Sequence, residues 1–114
     1  MTAPPIDCYV SDSPEIADLT GRYGDRLQRM TRYEGLLTIM LIASALGDGF
    51  LDPEGEPSIE LRIRLYLSGG YRMSRELQTA LTALDDCDER QVTALLVALI
   101  CYTSAELTDL ALSG

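Results

Sequence analysis

Two stretches of the chain contain no charged residue and carry apolar side chains at most positions. Residues 35–46 have the sequence GLLTIMLIASAL, and residues 92–102 have the sequence VTALLVALICY. Each is shorter than the ~20 apolar residues that a membrane-spanning helix needs. We therefore expect both stretches to be buried in protein, as two central helices that pack on each other while the rest of the chain covers them.

An earlier helix is predicted ahead of the first apolar stretch. Ser13 suits an N-cap, and Pro14 suits the first helical position. The periodic pattern allows this helix to continue to Leu46. Because glycine inside a helix costs ~1 kcal/mol relative to alanine, we expect the helix to loosen near Gly21 and Gly24.

Four arginines lie along the predicted first helix at spacings of four, three and three residues. They are Arg22, Arg26, Arg29 and Arg32. Helical geometry would place them along one side, next to an apolar stripe. One interpretation is a solvated face with local ion pairs to Asp18 and Asp25. The other is a basic ridge that docks on an acidic surface of a partner protein.

The stretch from Ile59 to Leu67, IELRIRLYL, fits two secondary structures. Its apolar residues alternate strictly with polar ones and a tyrosine, which is typical of a half-buried strand. No convincing partner strand exists except the N-terminal arm or a second copy of the chain. Gly69 and Gly70 would also close a helix. We favour a helix because the surrounding segments are helical, and we expect it to be buried on more than one side.

Turn and capping residues divide the remaining chain. Residues 47–57, GDGFLDPEGEP, form the most pronounced predicted loop, and their acids miss the ligand spacing of a calcium-binding loop. Ser74 suits the N-cap of a helix over residues 75–84. Asp86 and Glu89 have the spacing of a capping box for the last helix, which starts near Cys87 and could restart at Ser104.

These elements predict an all-α fold, a single small helical domain of about four to five helices over residues 13–114. Residues 1–12 form an N-terminal arm that contains two prolines. In this arm Ile6, Cys8 and Val10 alternate with polar or aromatic residues, so it could add one short strand.

Composition excludes several classes of function. The net charge of −9 disfavours binding to nucleic acid or to anionic membranes, and all nine cations are arginine. The chain lacks histidine, the commonest general base and transition-metal ligand. No nucleotide-binding or hydrolase motif is present. We therefore expect no enzyme, no cofactor, no metal site and no small-molecule substrate.

The three cysteines indicate a reducing compartment. Cys8, Cys87 and Cys101 are an odd number without metal-ligand spacing, and the first residues lack the pattern of a signal peptide. We expect a cytoplasmic protein with reduced thiols. Cys8 near the terminus could crosslink two copies on oxidation.

The apolar content is larger than one small core can easily use. Two uncharged helices, the leucine-rich tail and residues 59–67 all compete for burial. Such a surplus usually marks an interface, so we expect a homodimer or a protein partner.

The chain as a whole resembles the QslA family, the small antiactivators of quorum sensing from Pseudomonas. The likeness lies in size, acidity and three stretches: IDCYVSDSPEIADL, TRYEGLLTIMLIASALGDGF and LTALDDCDERQVTALLVALICY. The resemblance implies a helical dimer that binds the ligand-binding domain of the transcription factor LasR. Binding would block LasR dimerisation and therefore DNA binding.

The candidate partner-binding residues are Arg29, Arg32 and Tyr33, where the arginine ridge meets the apolar helix. Arginine and tyrosine are enriched among interface hot spots. Two other hypotheses remain: an acidic nucleic-acid mimic that inhibits a DNA-binding protein, and a TerB-like helical interaction domain suggested by the Gly47–Gly49 junction.

Overall fold

Five α-helices and one 3₁₀-helix account for most of the described chain. The computed structural model describes residues 5–6, 13–51 and 58–113, with the backbone alone for residues 48–51 and 105–113. The helices are α1 (Pro14–Tyr23), α2 (Arg32–Leu51), α3 (Ile59–Ser68), α4 (Arg75–Thr82), the 3₁₀-helix Ala83–Asp86 and α5 (Glu89–Ser113). These residues include no strand, so the predicted all-α fold is confirmed.

The two apolar stretches form the centre of the fold, as the sequence predicted. They lie in α2 and α5, which form the most extensive helix pair. Leu37 and Leu41 of α2 and Leu95 and Leu99 of α5 are buried in one continuous core. Within the described residues, no helix combines the length and apolar character needed to cross a bilayer.

A turn at Gly24 separates α1 from α2, so the interruption expected near Gly21 and Gly24 is present, and the alternative of one helix continuing to Leu46 is wrong. Gly24 follows α1 with φ 101° and ψ 161°, a conformation that essentially only glycine adopts. Leu27 is buried and has a positive φ of 52°. Helix α2 then begins at a capping box that was not predicted from the sequence. The Thr31 Oγ1 accepts from Glu34 N–H at 3.1 Å, and a Glu34 carboxylate oxygen accepts from Thr31 N–H at 2.9 Å.

The predicted start of the loop at Gly47 is also wrong. Helix α2 continues through Gly47 to Leu51, and a Cβ at Gly47 would meet no atom within 4 Å. A single glycine lowers helix stability by only about 1 kcal/mol, which the tertiary packing of α2 offsets. Residues 52–57, which include most of the predicted loop, lie outside the described residues.

Residues 59–68 are helical, and two polar side chains cap their first turn. The Ser58 Oγ accepts from Leu61 N–H at 3.2 Å. The Asp85 carboxylate accepts from Ile59 N–H at 2.7 Å and from Glu60 N–H at 3.1 Å. Asp85, which is 25 or 26 positions later in the chain, therefore adds a long-range cap to the local one from Ser58.

The start of α5 corrects the predicted Asp86–Glu89 capping box. Asp86 belongs to the 3₁₀-helix, and the box is formed by Asp88 and Gln91. The Asp88 carboxylate accepts from Gln91 N–H at 2.8 Å, and the Gln91 Oε1 accepts from Asp88 N–H at 3.1 Å. Helix α5 continues past Ser104 without a restart.

The predicted caps of α1 and α4 are confirmed. The Ser13 Oγ accepts from Ile16 N–H, and the Ser74 Oγ accepts from Leu77 N–H, each at 3.2 Å. Of the N-terminal arm, Pro5 and Ile6 are described. Ile6 is fully buried, and its N–H donates to the carbonyl of residue 25 at 2.8 Å. The possible strand over Ile6, Cys8 and Val10 lies almost entirely outside the described residues.

The turn at Gly24 yields a prediction about stability. Gly24→Ala should lower the free energy of unfolding by about 1–3 kcal/mol, because the added Cβ would be strained at this backbone conformation. It would also overlap the side chain of Gln28. Gly21→Ala is the matched control, since a Cβ there meets nothing within 4 Å. That change should stabilise α1 by about 0.5–1 kcal/mol. Urea unfolding measures the free energy of unfolding of both variants. If the two substitutions changed it equally, Gly24 would not have the glycine-specific conformation.

Candidate functional site

The outward side of α2 is a continuous uncharged surface. Tyr33, Leu36, Met40 and Ala43 follow one another at spacings of three, four and three residues, and we call them the α2 stripe. The side chains of Tyr33, Leu36 and Met40 are 49%, 43% and 42% exposed. Because the opposite side of α2 is buried in the core, the helix is apolar both inside and outside. An amphipathic surface helix would instead carry charged residues here.

The Tyr33 hydroxyl fastens the start of α2 to the connection between α3 and α4. It donates to the Arg72 carbonyl at 3.0 Å and accepts from the Arg72 N–H at 3.1 Å. We call this pair of hydrogen bonds the Tyr33 clasp. Both of its bonds use the backbone of Arg72, so the arginine side chain is left out of the contact.

A second contact fixes the same edge of α2 three turns later. The Ser44 and Tyr66 hydroxyls are hydrogen-bonded at 3.1 Å. The Tyr66 ring packs against the Tyr71 ring, with centroids 5.1 Å apart and planes at 30°. Tyr71 is exposed and immediately precedes Arg72. The α2 stripe is therefore bordered along one side by an ordered aromatic segment.

Tyr23, buried at the end of α1, is sensitive to charges at the starts of both α2 and α4. Burial raises the pKa of Tyr23, and the carboxylates of Glu76 in α4 and Glu34 in α2 raise it further, whereas the Ser74 hydroxyl lowers it.

The predicted arginine ridge does not exist as one helical side, because α1 ends at Tyr23 and the chain turns at Gly24. Arg22 pairs instead with Asp18 at 3.0 Å and with Glu76 of α4 at 3.6 Å. Arg26 pairs with Asp25 at 3.5 Å. The interpretation of these arginines as a face with local ion pairs is therefore confirmed for Arg22 and Arg26.

The three predicted partner-binding residues are all exposed. Arg29 lies in the α1–α2 connection, and Arg32 and Tyr33 open α2. Their role in binding stays a prediction.

Three surface residues beside them were not singled out from the sequence: Leu36, Met40 and Arg75. The lack of any charge in residues 35–46 was a usable signal for Leu36 and Met40. Tyr71 and Arg72 are one of the neighbouring arginine–tyrosine pairs of the sequence and were candidates on that ground. Their position beside Tyr33 had no local signal, because the Tyr33 clasp joins residues 39 positions apart.

Two further helices leave apolar side chains in solvent. On α3, Leu61 and Leu65 are 52% and 51% exposed and lie one turn apart. On α5, Val97 and Ile100 are also about half exposed. The predicted apolar surplus is therefore present on three described helices.

A cleft beside Cys87 offers little chemistry. It has a volume of about 200 Å³ and is lined mainly by apolar side chains from α2, α3 and α5. Burial raises the pKa of the Cys87 thiol, and the nearby Glu15 carboxylate raises it further, although the Ser13 hydroxyl lowers it. A thiol with a raised pKa is a poor nucleophile at neutral pH. The described residues contain no cluster of three or more histidine, cysteine or acidic side chains that could hold a metal.

Comparisons with known proteins do not assign this surface. No family model, no curated protein and no solved structure matches the chain. Function is therefore inferred from the shape and chemistry of the described surface, together with the resemblance in sequence.

The Tyr33 clasp yields a prediction about local stability. Tyr33→Phe keeps the ring but removes both hydrogen bonds. The free energy of unfolding should fall by about 1 kcal/mol, and the Arg72 amide should exchange its hydrogen faster. Tyr71→Phe is the matched control, because the Tyr71 hydroxyl makes no hydrogen bond with a described residue. Hydrogen exchange measured by NMR tests both, and unchanged protection of Arg72 in Tyr33→Phe would rule out the clasp.

Proposed function

We propose that this protein is a protein-binding inhibitor that sequesters the ligand-binding domain of a LuxR-type quorum-sensing transcription factor such as LasR. The complex would form in the cytoplasm, without a cofactor, and would prevent the transcription factor from dimerising on DNA. The observation that carries the proposal is the exposed, uncharged α2 stripe. The sequence resemblance to the QslA antiactivators supplies the identity of the partner.

The α2 stripe has the composition of a binding surface. Tyrosine and methionine are enriched in interface cores, whereas charged residues are depleted there. The Tyr33 clasp fixes one anchor before any partner arrives, with 49% of that side chain still exposed. A side chain that is already ordered loses less conformational entropy on binding.

Inhibition follows from competition for one surface. Factors that bind palindromic operators as dimers need two half-site contacts, so a capped monomer loses most of its specific affinity. A dimerisation surface is apolar at its core, which matches the α2 stripe chemically. The inhibitor's net charge of −9 would further repel DNA from the complex.

The two alternative functions receive less support. A nucleic-acid mimic needs carboxylates free to imitate phosphates, but Glu34, Asp85 and Asp88 accept backbone N–H groups at helix starts. The TerB-like hypothesis relied on a junction between helices at Gly47–Gly49. Helix α2 continues through both of those glycines.

We also propose that two copies pair through the outer face of α3. Leu61 and Leu65 form its apolar centre, and the neighbouring Glu60 and Arg64 are ion-paired at 2.8 Å. In an antiparallel pair about a twofold axis, Glu60 of one copy approaches Arg64 of the other. The charges of the face are therefore complementary to those of a second copy. This pairing leaves the α2 stripe free for the partner.

The binding proposal predicts the effect of charge on the α2 stripe. Leu36→Glu combined with Met40→Glu should weaken binding of the LasR ligand-binding domain by at least about thirtyfold, because two carboxylates would be desolvated in the interface. In a gel-shift titration, a correspondingly higher concentration of the variant should be needed to release LasR from its operator. Both positions are exposed, so circular dichroism should report an unchanged fold.

Thr79→Glu combined with Thr93→Glu is the control, since it adds the same charge at exposed positions of α4 and α5. This control should inhibit as the unmodified protein does. If wild-type protein leaves operator binding by LasR untouched, the proposed function is wrong. If the α2 variant still inhibits at the wild-type concentration, the α2 stripe is not the binding surface.

Dimerisation has its own test. Light scattering at micromolar concentration should give twice the 12.5 kDa chain mass, and Leu61→Glu combined with Leu65→Glu should give a monomer. The reason is that four carboxylates would meet across the twofold axis. A wild-type monomer would contradict dimerisation, whereas a variant that stays dimeric would exclude the α3 face and leave Val97 and Ile100 on α5 as the next candidates.

A further inference from the structure

Four arginines gather around the starts of α2 and α4. They are Arg29, Arg32, Arg72 and Arg75, all of them exposed, and we call them the basic corner. Arg29 and Arg32 lie about 40 positions from Arg72 and Arg75 in sequence. The grouping is therefore a product of the fold.

A pair of hydrogen bonds holds the corner together. The Tyr33 clasp bonds the residue after Arg32 to the backbone of Arg72 at 3.0 and 3.1 Å. The arginines on either side of the clasp are consequently neighbours on one surface.

Three of the four arginines in the corner have no described carboxylate as a partner. The guanidinium groups of Arg29, Arg72 and Arg75 make no hydrogen bond or ion pair with any described residue. Four guanidinium groups lie beside two carboxylates, Glu34 and Glu76, and Glu76 already pairs with Arg22 at 3.6 Å. The amino-terminal ends of α2 and α4 add partial positive charge at the same place. A locally cationic surface thus lies on a chain of net charge −9.

We propose that the basic corner binds carboxylates that border the apolar surface of the protein partner, while the α2 stripe covers that apolar surface. The partner is thereby defined by its chemistry: an apolar patch edged by aspartate or glutamate. The identity of this partner as a LuxR-type ligand-binding domain rests on the function proposed above. The carboxylate preference rests on the corner alone.

Protein carboxylates fit the corner better than nucleic-acid phosphates do. The planar guanidinium group can bind a carboxylate through two parallel hydrogen bonds. The corner directly adjoins apolar and aromatic side chains at Leu36 and Tyr71. A nucleic acid would have to approach a chain of net charge −9 along its whole length, whereas a protein interface meets only the local surface.

Attraction across such a rim acts mainly on the association rate. Complementary charges steer two proteins toward the correct orientation before contact. At 0.1 M salt this attraction is largely screened beyond about 10 Å. Binding to the LasR domain should therefore slow down as salt is raised. The same salt dependence should shrink when the arginines of the corner are removed.

The experiment compares two double variants by stopped-flow association with the LasR ligand-binding domain, at low and high salt. Arg72→Ala with Arg75→Ala should reduce the association rate constant about tenfold at low salt and flatten its salt dependence. Arg26→Ala with Arg90→Ala removes two arginines outside both the corner and α3, and should stay within about twofold of wild type. Equal effects of the two variants would overturn the carboxylate assignment without affecting the proposed function.

A second measurement does not need the LasR domain. Wild-type protein is titrated in NMR with the amidated peptide Glu-Phe-Leu-Glu, with its lysine counterpart Lys-Phe-Leu-Lys, and with an eight-residue oligothymidine. The glutamate peptide alone should shift the amide signals of residues 29–33 and 71–75, and Arg72→Ala with Arg75→Ala should abolish those shifts. If the oligothymidine shifts the same signals and the glutamate peptide does not, the corner is a phosphate site and the proposal is wrong. If the glutamate peptide binds but the LasR domain does not, the corner is a carboxylate-binding site and the proposed function is wrong.

Discussion

The main constraint on this structure is that two of its helices are apolar on nearly all sides. A core can bury one side of each helix, and α2 and α5 use those sides against each other. The three shorter helices cannot surround both, since a chain of this size buries only about two thirds of its surface. Leu36 and Met40 on α2 and Val97 and Ile100 on α5 therefore remain in solvent. Exposed apolar surface is thus built into the fold and does not come from a local irregularity.

The Tyr33 clasp gives this surplus a defined shape. One hydroxyl uses both its donor and its acceptor on a single residue of a distant connection, so the phenol ring cannot turn away from the surface. The same bonds bring arginines from two segments to one edge of the α2 stripe. Apolar area contributes affinity and charge contributes orientation, and here both depend on one side chain. A conservative change at Tyr33 should consequently alter binding more than its own contact area suggests.

Local signals predicted the parts of the fold that have local causes. The caps at Ser13 and Ser74 and the two central helices were all predictable, because a cap or an apolar run is encoded within a few residues. The turn at Gly24 was harder to place, since Gly21 nearby is equally permissive in sequence yet stays helical. Asp85 was out of reach, because its target is the first turn of α3 more than 20 positions earlier. The position of Arg72 and Arg75 beside Arg32 could not be predicted for the same reason, because it depends on tertiary contacts.

The cap of α3 by Asp85 has a consequence during protein synthesis. The strand-like alternation of residues 59–67 leaves the ribosome before Asp85 does, and at ~5–20 residues per second the gap lasts about 1–5 seconds. In that interval the segment has part of its helix cap, from Ser58, and can contact α2, but it lacks Asp85 and the helices that follow α3. Alternating apolar segments without partners are templates for β-aggregation. The yield of folded protein should therefore depend on how soon Asp85 emerges from the ribosome after residues 59–67.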